Sequence, residues 1–405
     1  MQARTVLIAG VGIAGPTLAF WLRAGGFLPT LVERSPSLRT GGYVIDFWGL
    51  GYDIAARMGL RDEIERIGYH VRELRMVDDL GRRIAGFGTQ VFSELTGGRY
   101  VTIGRSDLSR LLFDRVRDTC ECSFDDAIVE FEQHMDGVDV RFASGKTRQF
   151  DLLIGADGLH SSIRKLGFGP QERFEKKLGY SVAAFEVAGY RPRDEAIYVV
   201  HTAPGQQLSR FALHDDRTLF LFVFAGDGDT PTGGIGLDAQ KAILHDRFRR
   251  CGWESPQILA ELDRAQELYF DRVSQIAMDR WSQDRVALIG DAAFCISLLG
   301  GQGSALAMTA AYVLAGELAG CAGRHRAAFR NYEDLLRSYI TAKQRSALRF
   351  AGFFAPKSRL GLFVLKQVIK TFRVPGMARY AIGNDIIDKL KLPKYQFADW
   401  PSAVG

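Results

Sequence analysis

The chain has 405 residues, 47% of them hydrophobic and 24% charged, with a formal net charge of +5, the profile of a globular enzyme with enough core for two or three domains. There is no apolar stretch of membrane-spanning length, and the first strand begins at once with no secretory leader ahead of it, so the sequence reads as cytoplasmic. Cys120, Cys122, Cys251, Cys295 and Cys321 form no CxxC pair and have no His cluster nearby, which suits packed free thiols in a reducing compartment and excludes a disulfide framework or a metal site.

The positive charge is uneven. Between Lys343 and Lys394 twelve Lys/Arg stand against two Asp, so that segment carries +10 and the remainder −5. Its cations are scattered singly on a helical pattern, as on a solvated face, so a nucleic-acid partner is not expected.

Thr5 to Ala9 reads as a strand buried on both faces, running into Gly10-Val11-Gly12-Ile13-Ala14-Gly15 and an apolar helix. Gly10 permits a tight turn, Gly12 lets a pyrophosphate approach the backbone, and Gly15 lets the helix pack close, with its N-terminus towards the anion. A second strand, Pro29 to Glu33, ends in a carboxylate placed to accept from ribose hydroxyls. The motif specifies a dinucleotide without distinguishing NAD from FAD; Glu33 argues against a 2′-phosphate here.

Arg34 and the loop Arg39-Thr40-Gly41-Gly42 follow, and Arg39 reads either as a phosphate or adenine contact or as a surface charge. Leu50 to Arg66 is predicted helical with a break at Gly59, and Glu73 to Asp79 and Arg82 to Phe87 as a hairpin. Tyr100 to Ile103 reads as a strand that becomes a helix at Arg105, on the same edge as the glycine turn. Three short strands are expected between Asp126 and Phe150. Leu152 to Gly155 then enters a second polar turn, Asp157-Gly158-x-x-Ser161-x-x-Arg164.

From Leu178 to Gly226 the pattern changes to a separate antiparallel sheet: Gly179 to Ala188, Ala196 to Thr202, Leu208 to Leu213 and Thr218 to Ala225. Phe220, Phe222 and Phe224 share one face by the two-residue period. That face is either an ordinary sheet core or the lining of an apolar ligand pocket. Two helices follow, Leu237 to Arg249 and Pro256 to Ala265, then a strand Phe270 to Ala277. A third strand enters a glycine turn at Gly290-Asp291-Ala292-Ala293 and continues through Gly300-Gly301-Gln302-Gly303-Ser304 into a long helix. Free N–H groups there suit an electron-rich ligand edge, and Asp291 suits ribitol or ribose hydroxyls or a structural turn.

These three motifs in this order resemble the single-component FAD-dependent aromatic hydroxylases of the para-hydroxybenzoate hydroxylase fold. Arg39-x-x-Gly42, Val44-Ile45-Asp46 and Arg105 bring the chain nearest the tetracycline-inactivating flavin monooxygenases. The resemblance covers about residues 4 to 345 and implies an α/β fold: a Rossmann-like FAD-binding domain (1–72, 101–174, 280–345), an inserted antiparallel β-sheet substrate domain (73–100, 175–279) and C-terminal basic helices (346–405). It further implies that Gly10, Gly12, Ile13, Ala14 and Gly15 meet the FAD pyrophosphate and Glu33 the adenosine ribose. Arg34, Arg39 and Arg105 would line the cofactor, Asp157 would support the cofactor and reductant region, and Asp291 would hold the ribityl-phosphate part. Gly301, Gly303 and Ser304 would face the flavin pyrimidine edge, where negative charge collects on reduction.

The implied reaction is hydroxylation of an aromatic or polycyclic, antibiotic-like molecule: NADPH or NADH visits transiently to reduce the flavin, O2 adds at C4a, and the hydroperoxide delivers oxygen. His201, Arg210 and His214, with Phe220, Phe222 and Phe224, are the substrate-orienting candidates, each histidine and the arginine also reading as structural. Phe294, Ser297 and Leu298 stand where such enzymes usually carry His and Pro, which leaves that loop less constrained in φ. An FAD-dependent reductase of isoprenoid double bonds and a flavoprotein that sequesters its ligand are the alternatives. The stretch from Phe350 to Arg373 reads either as a helix covering the substrate domain or as a basic amphipathic contact with an anionic membrane surface.

Overall fold

The computed structural model describes residues 4–39, 41–226, 235–372 and 388–397, without the side chains of 299 and 349–354; Thr40 and Trp400 lie outside the described residues. A six-stranded sheet runs in the order Ser282–Gln283, Val286–Leu288, Leu152–Gly155, Thr5–Ala9, Leu28–Val32, Glu121–Ser123. All its pairings are parallel except the Ser282–Gln283 edge. Its central strands are covered on both faces, which is why they are near-continuous Val, Leu and Ile runs: Val6, Leu7, Ile8, Leu152, Leu153 and Ile154 are all fully buried. The helix Ala14–Ala24 and the long helix Gly303–Gly320 pack on it, with Trp21 against Tyr312 at 5.0 Å.

The topology explains why three motifs far apart in sequence act together. The strands Thr5–Ala9, Leu152–Gly155 and Val286–Leu288 are immediate neighbours in the sheet and point the same way. The glycine-containing turns that follow them emerge on one edge, where open α/β sheets bind ligands.

A seven-stranded sheet runs in the order Tyr269–Ile276, Glu175–Ala188, Arg217–Ala225, Gln206–Ala212, Ile197–Ala203, Glu73–Val77, Arg83–Gly88. It is antiparallel apart from the pairing of Ile197–Ala203 with Glu73–Val77, through which the early hairpin joins the later strands. Helices Leu237–Phe248 and Ser255–Arg264 cover one face. The helix Arg359–Thr371 lays Leu362, Leu365 and Ile369 on Met76, Ala85 and Phe87, so the apolar residues of that stretch cover the sheet, while Leu360, Phe363 and Val364 stay exposed. No helix among the described residues is long and apolar enough to cross a membrane.

Local departures from the sequence reading have local causes. The break expected at Gly59 is present: the helices Leu50–Arg57 and Arg61–Ile67 are parted there, where a φ of 74° ends the first. Gln90–Thr96 forms a helix that the sequence did not announce; it is seven residues long and ends on left-handed Gly97. The five cysteines are free thiols, and burial pushes Cys122 and Cys251 up to about 11, as suits packing rather than reactivity.

Candidate active site

The first glycine turn has the geometry its spacing anticipates. Gly10 has φ 104°, and a Cβ there would lie 2.6 Å from the Ala156 carbonyl oxygen on the neighbouring strand's turn. A Cβ on Gly15 would lie 2.0 Å from the Gly10 carbonyl oxygen, so the helix can approach the strand end through glycine alone. At Gly12 a Cβ would meet nothing within 4 Å. That open side faces a cavity of about 580 Å³, where a pyrophosphate can come up to the backbone.

Glu33 reaches the same turn: the Val11 N–H donates to Oε2 at 2.8 Å and the Ser35 N–H to Oε1 at 3.0 Å. The carboxylate thereby ties the end of the second strand to the glycine loop and lines the cavity. Arg34 and Arg39 stand beside it, and burial, then the Arg34 charge, lowers the Arg39 pKa.

Asp157 is spent chiefly on structure. Its Oδ1 accepts from the Ser161 hydroxyl at 2.5 Å, and its Oδ2 from the Ser162 N–H at 2.7 Å, the Ser162 hydroxyl at 2.9 Å and the Ile163 N–H at 3.1 Å. With the N-cap Ser161, whose hydroxyl oxygen accepts from the Arg164 N–H at 2.9 Å, it satisfies the first-turn N–H groups of the helix Ser162–Gly167 and fixes the second turn along the cavity wall. Fully buried Arg164 joins this turn to the third, donating to the Leu159 carbonyl at 2.6 Å and the Ala292 carbonyl at 2.8 Å. The motif Asp157-Gly158-x-x-Ser161-x-x-Arg164 is thus a staple between two strand ends.

In the third turn, Gly290 with φ 61° leads into Asp291, which lines the cavity at the head of the short helix Asp291–Phe294. Burial raises the Asp291 carboxyl above the ordinary carboxylate range, opposed by the Arg105 charge, a hydrogen bond with Cys295 and the Arg164 charge. Arg105 enters from the strand-to-helix junction at Gly104, where its N–H donates to the Tyr43 carbonyl at 3.1 Å. Burial pulls the Arg105 pKa down, but Tyr43, Asp291 and Tyr269 outweigh it and the net shift is upward. Gly301, Gly303 and Ser304 line the cavity at the N-terminus of the helix Gly303–Gly320. In the departing loop, Phe294 is buried against Trp281 at 4.7 Å, and Ser297 takes φ 91°, a conformation closed to proline. The sequence gap left by proline therefore corresponds to a different backbone, not to a looser version of the same one.

Every cofactor residue singled out from sequence borders this one cavity except Gly15, which sits behind the turn to let the helix close. The six substrate-orienting candidates do not. Phe220, Phe222 and Phe224 are fully buried on the far face of the sheet, with Phe222 edge-on to Phe248 at 4.8 Å. His201 points the same way, its Nε2 2.8 Å from Asp79 and its Nδ1 3.6 Å from the Cys251 thiol. Arg210 forms ion pairs there with Asp194 at 2.8 Å and Glu254 at 3.1 Å. His214 stacks on Tyr69 at 4.2 Å, away from the cavity. The sheet's cavity wall is made instead by the alternate residues Tyr198, Val200, Gln207, Ser209, Phe211 and Leu221. Phe211 and Tyr198 stack at 4.5 Å. The same two-residue period identifies these positions as one face; what it lacks is which face the helices cover. Asp46 and Tyr100 on the small sheet of Val44–Trp48 and Tyr100–Gly104 also line the cavity.

The residues fit FAD: an open backbone at Gly12, the Glu33 carboxylate at the end of the second strand, Asp291 under the influence of the Arg105 charge and a helix N-terminus surround one continuous cavity. The comparisons with known proteins agree. Residues 3–342 match the family model described as an FAD binding domain. A flavin-dependent monooxygenase from an unknown prokaryotic organism is 36% identical over 346 residues, 85% of this chain and 88% of the relative. Among solved structures, tetracycline destructase Tet(55) superposes with TM-score 0.82 at 32% identity, covering 97% of this chain and 99% of the other. HpxO of Klebsiella pneumoniae, solved with FAD and uric acid, does so with TM-score 0.77 at 25% identity, covering 95% and 96%. The chain belongs to the FAD-binding monooxygenases of this family and is an FAD-dependent, oxygen-using enzyme.

Proposed function

We propose that this enzyme hydroxylates an aromatic or polycyclic small molecule at the expense of NADH or NADPH. The observation that carries the reading is that one cavity joins the cofactor residues to an aromatic sheet wall: Gly12, Glu33 and Asp291 border the same space as Phe211, Leu221 and Tyr198. The tetracycline destructase and the uric acid complex among the structural neighbours support a flat, polar-edged ring system as substrate.

Bound FAD supplies the activation of dioxygen and its transfer to the ring. Around it, Glu33 would accept from ribose hydroxyls, and Asp291 from the ribityl chain. The N–H groups at Gly303 and Ser304 would stabilise charge that develops on the flavin's pyrimidine edge. The apolar and aromatic wall expels water, which protects an oxygen-activating centre from wasteful peroxide release. The cavity borders Asp157 and His160 at its other wall, where a nicotinamide visiting transiently could enter.

The test is turnover by the yellow, FAD-loaded protein. Tetracycline or urate should stimulate NAD(P)H oxidation, and labelled dioxygen should appear in the product. Reduction of the probe without labelled oxygen would instead indicate a reductase, and binding without NAD(P)H consumption a sequestering flavoprotein.

A further inference from the structure

The cavity is bordered by Asp46, a carboxylate outside the set of residues assigned to the cofactor. Asp46 lies on Val44–Trp48, directly opposite Thr102 on the antiparallel strand Tyr100–Gly104. The Thr102 hydroxyl donates to its Oδ1 at 2.6 Å, and the Tyr100 hydroxyl donates to the same oxygen at 2.9 Å. Among the described residues only these two hydroxyls act on Asp46, both at Oδ1, and no Lys, Arg or His forms an ion pair with it, although it borders the cavity.

The groups facing it are neutral and aromatic. Tyr100 stacks on Phe92 at 5.7 Å, and Tyr198 comes from the seven-stranded sheet, where burial and the Asp46 charge hold its phenol protonated. Burial also raises Asp46 itself, with the Thr102 and Tyr100 hydrogen bonds opposing. A carboxylate bordering the cavity with one oxygen satisfied and the other without a protein donor is costly unless a donor arrives. Aromatic faces beside it favour a cationic donor as well as a flat ring.

We propose that Asp46 is the substrate-recognising group of this cavity, its Oδ2 accepting a hydrogen bond from a hydroxyl or ammonium group on the edge of the bound ring system. This rests on the reading of the cavity as the site of an aromatic substrate. It assigns a substrate class: rings that carry a donor on an edge, with O-methylated or N-acylated counterparts rejected because they leave Oδ2 unsatisfied.

The experiment titrates the FAD-loaded enzyme with naphthol, naphthylmethylammonium and methoxynaphthalene, following the visible flavin band. In the unaltered enzyme at least one of the two donor probes should bind about tenfold or more tightly than methoxynaphthalene, a span set by a charge-assisted hydrogen bond. Whichever donor probe shows the larger preference identifies the group recognised. Asp46→Asn keeps an acceptor for Thr102 and Tyr100 but turns an amide NH2 to the cavity, so the preference should fall to near unity. Asp46→Leu should show the same loss, with methoxynaphthalene binding unchanged or tighter. Equal binding of all three probes by the unaltered enzyme, no perturbation by any of them, or an unchanged preference in both variants would overturn the proposal. Failure of the unaltered protein to take up FAD would count against the flavin site itself, a result separable from all of these.

Discussion

Two faces of the same pair of strands, Gln206–Ala212 and Arg217–Ala225, are built to opposite rules. One face presents Leu208, Phe220, Phe222 and Phe224 to the helices Leu237–Phe248 and Ser255–Arg264, and all four are fully buried. The other presents Gln207, Ser209, Phe211, Leu219 and Leu221 to the cavity. The helix-covered face is mostly apolar because a polar group there lacks water; of its polar residues, Arg210 is ion-paired and the Gln206 amide donates to the Arg247 carbonyl at 2.6 Å, while the buried Thr218 hydroxyl has no partner. The cavity face mixes apolar area with amide and hydroxyl groups because it exchanges water for ligand. The richer aromatic stripe therefore marks the core, and the more ordinary stripe marks the site.

The sharpest test of this contrast lies in the first glycine turn, where the same difference holds between protein-facing and cavity-facing positions. Gly15→Ala would place a Cβ against the backbone oxygen of Gly10. It should cost about 3 kcal/mol or more and prevent FAD uptake, read by thermal unfolding and flavin absorbance. Gly12→Ala meets no protein atom within 4 Å, so it should leave the FAD-free melting temperature nearly unchanged and weaken FAD alone. Equal destabilisation by both would break the contrast.

Within the sheet, Phe222→Ala should cost about 3–5 kcal/mol in denaturant unfolding, the usual range for a buried phenylalanine, with the flavin spectrum intact. Leu221→Ala, one residue away and facing the cavity, should cost less stability and alter aromatic probe binding instead. A probe-binding defect in Phe222→Ala at unchanged stability would reverse the assignment of the two faces.

Asp291 connects the contrast to pH. Its carboxyl is raised above the ordinary value of 3.8 by burial, so its contribution to stability is fully present below that value and is lost as pH rises through the raised folded one. At neutral pH the raised pKa therefore makes the FAD-free protein less stable than it is below 3.8. Asp291→Asn should raise the FAD-free melting temperature at neutral pH, leave it unchanged at low pH, and weaken FAD binding. A fall in melting temperature at neutral pH would contradict this.

The smallest effect is expected at the cavity rim. A hydrogen bond with Asp271 raises the His160 pKa above 6.5, against the effect of burial. That stabilisation is complete below 6.5 and is lost as pH rises through the higher folded value. His160→Gln should lower the melting temperature slightly in acid and not at all above that window, because the ring is half exposed and its ion pair is screened.

The sequence by itself determined the cofactor half. Gly10, Gly12 and Gly15, Glu33, the Asp157 to Arg164 staple and the Gly290-Asp291 turn are local signals, because a strand end, a tight turn and a helix start are each specified within a few residues. It also determined that Phe220, Phe222 and Phe224 share a face, since alternation is a property of any strand; that Tyr198 and Phe211 stand opposite while Phe185 joins those three phenylalanines follows only from the pairing register. Only the tertiary structure decided which face meets the cavity. That depends on where Leu237–Phe248 and Ser255–Arg264 dock, and both faces are apolar enough to be covered. The same holds for Asp46: its role comes from the strand Tyr100–Gly104 folding back beside it and from a sheet more than a hundred residues later closing the wall, contacts that no local pattern encodes.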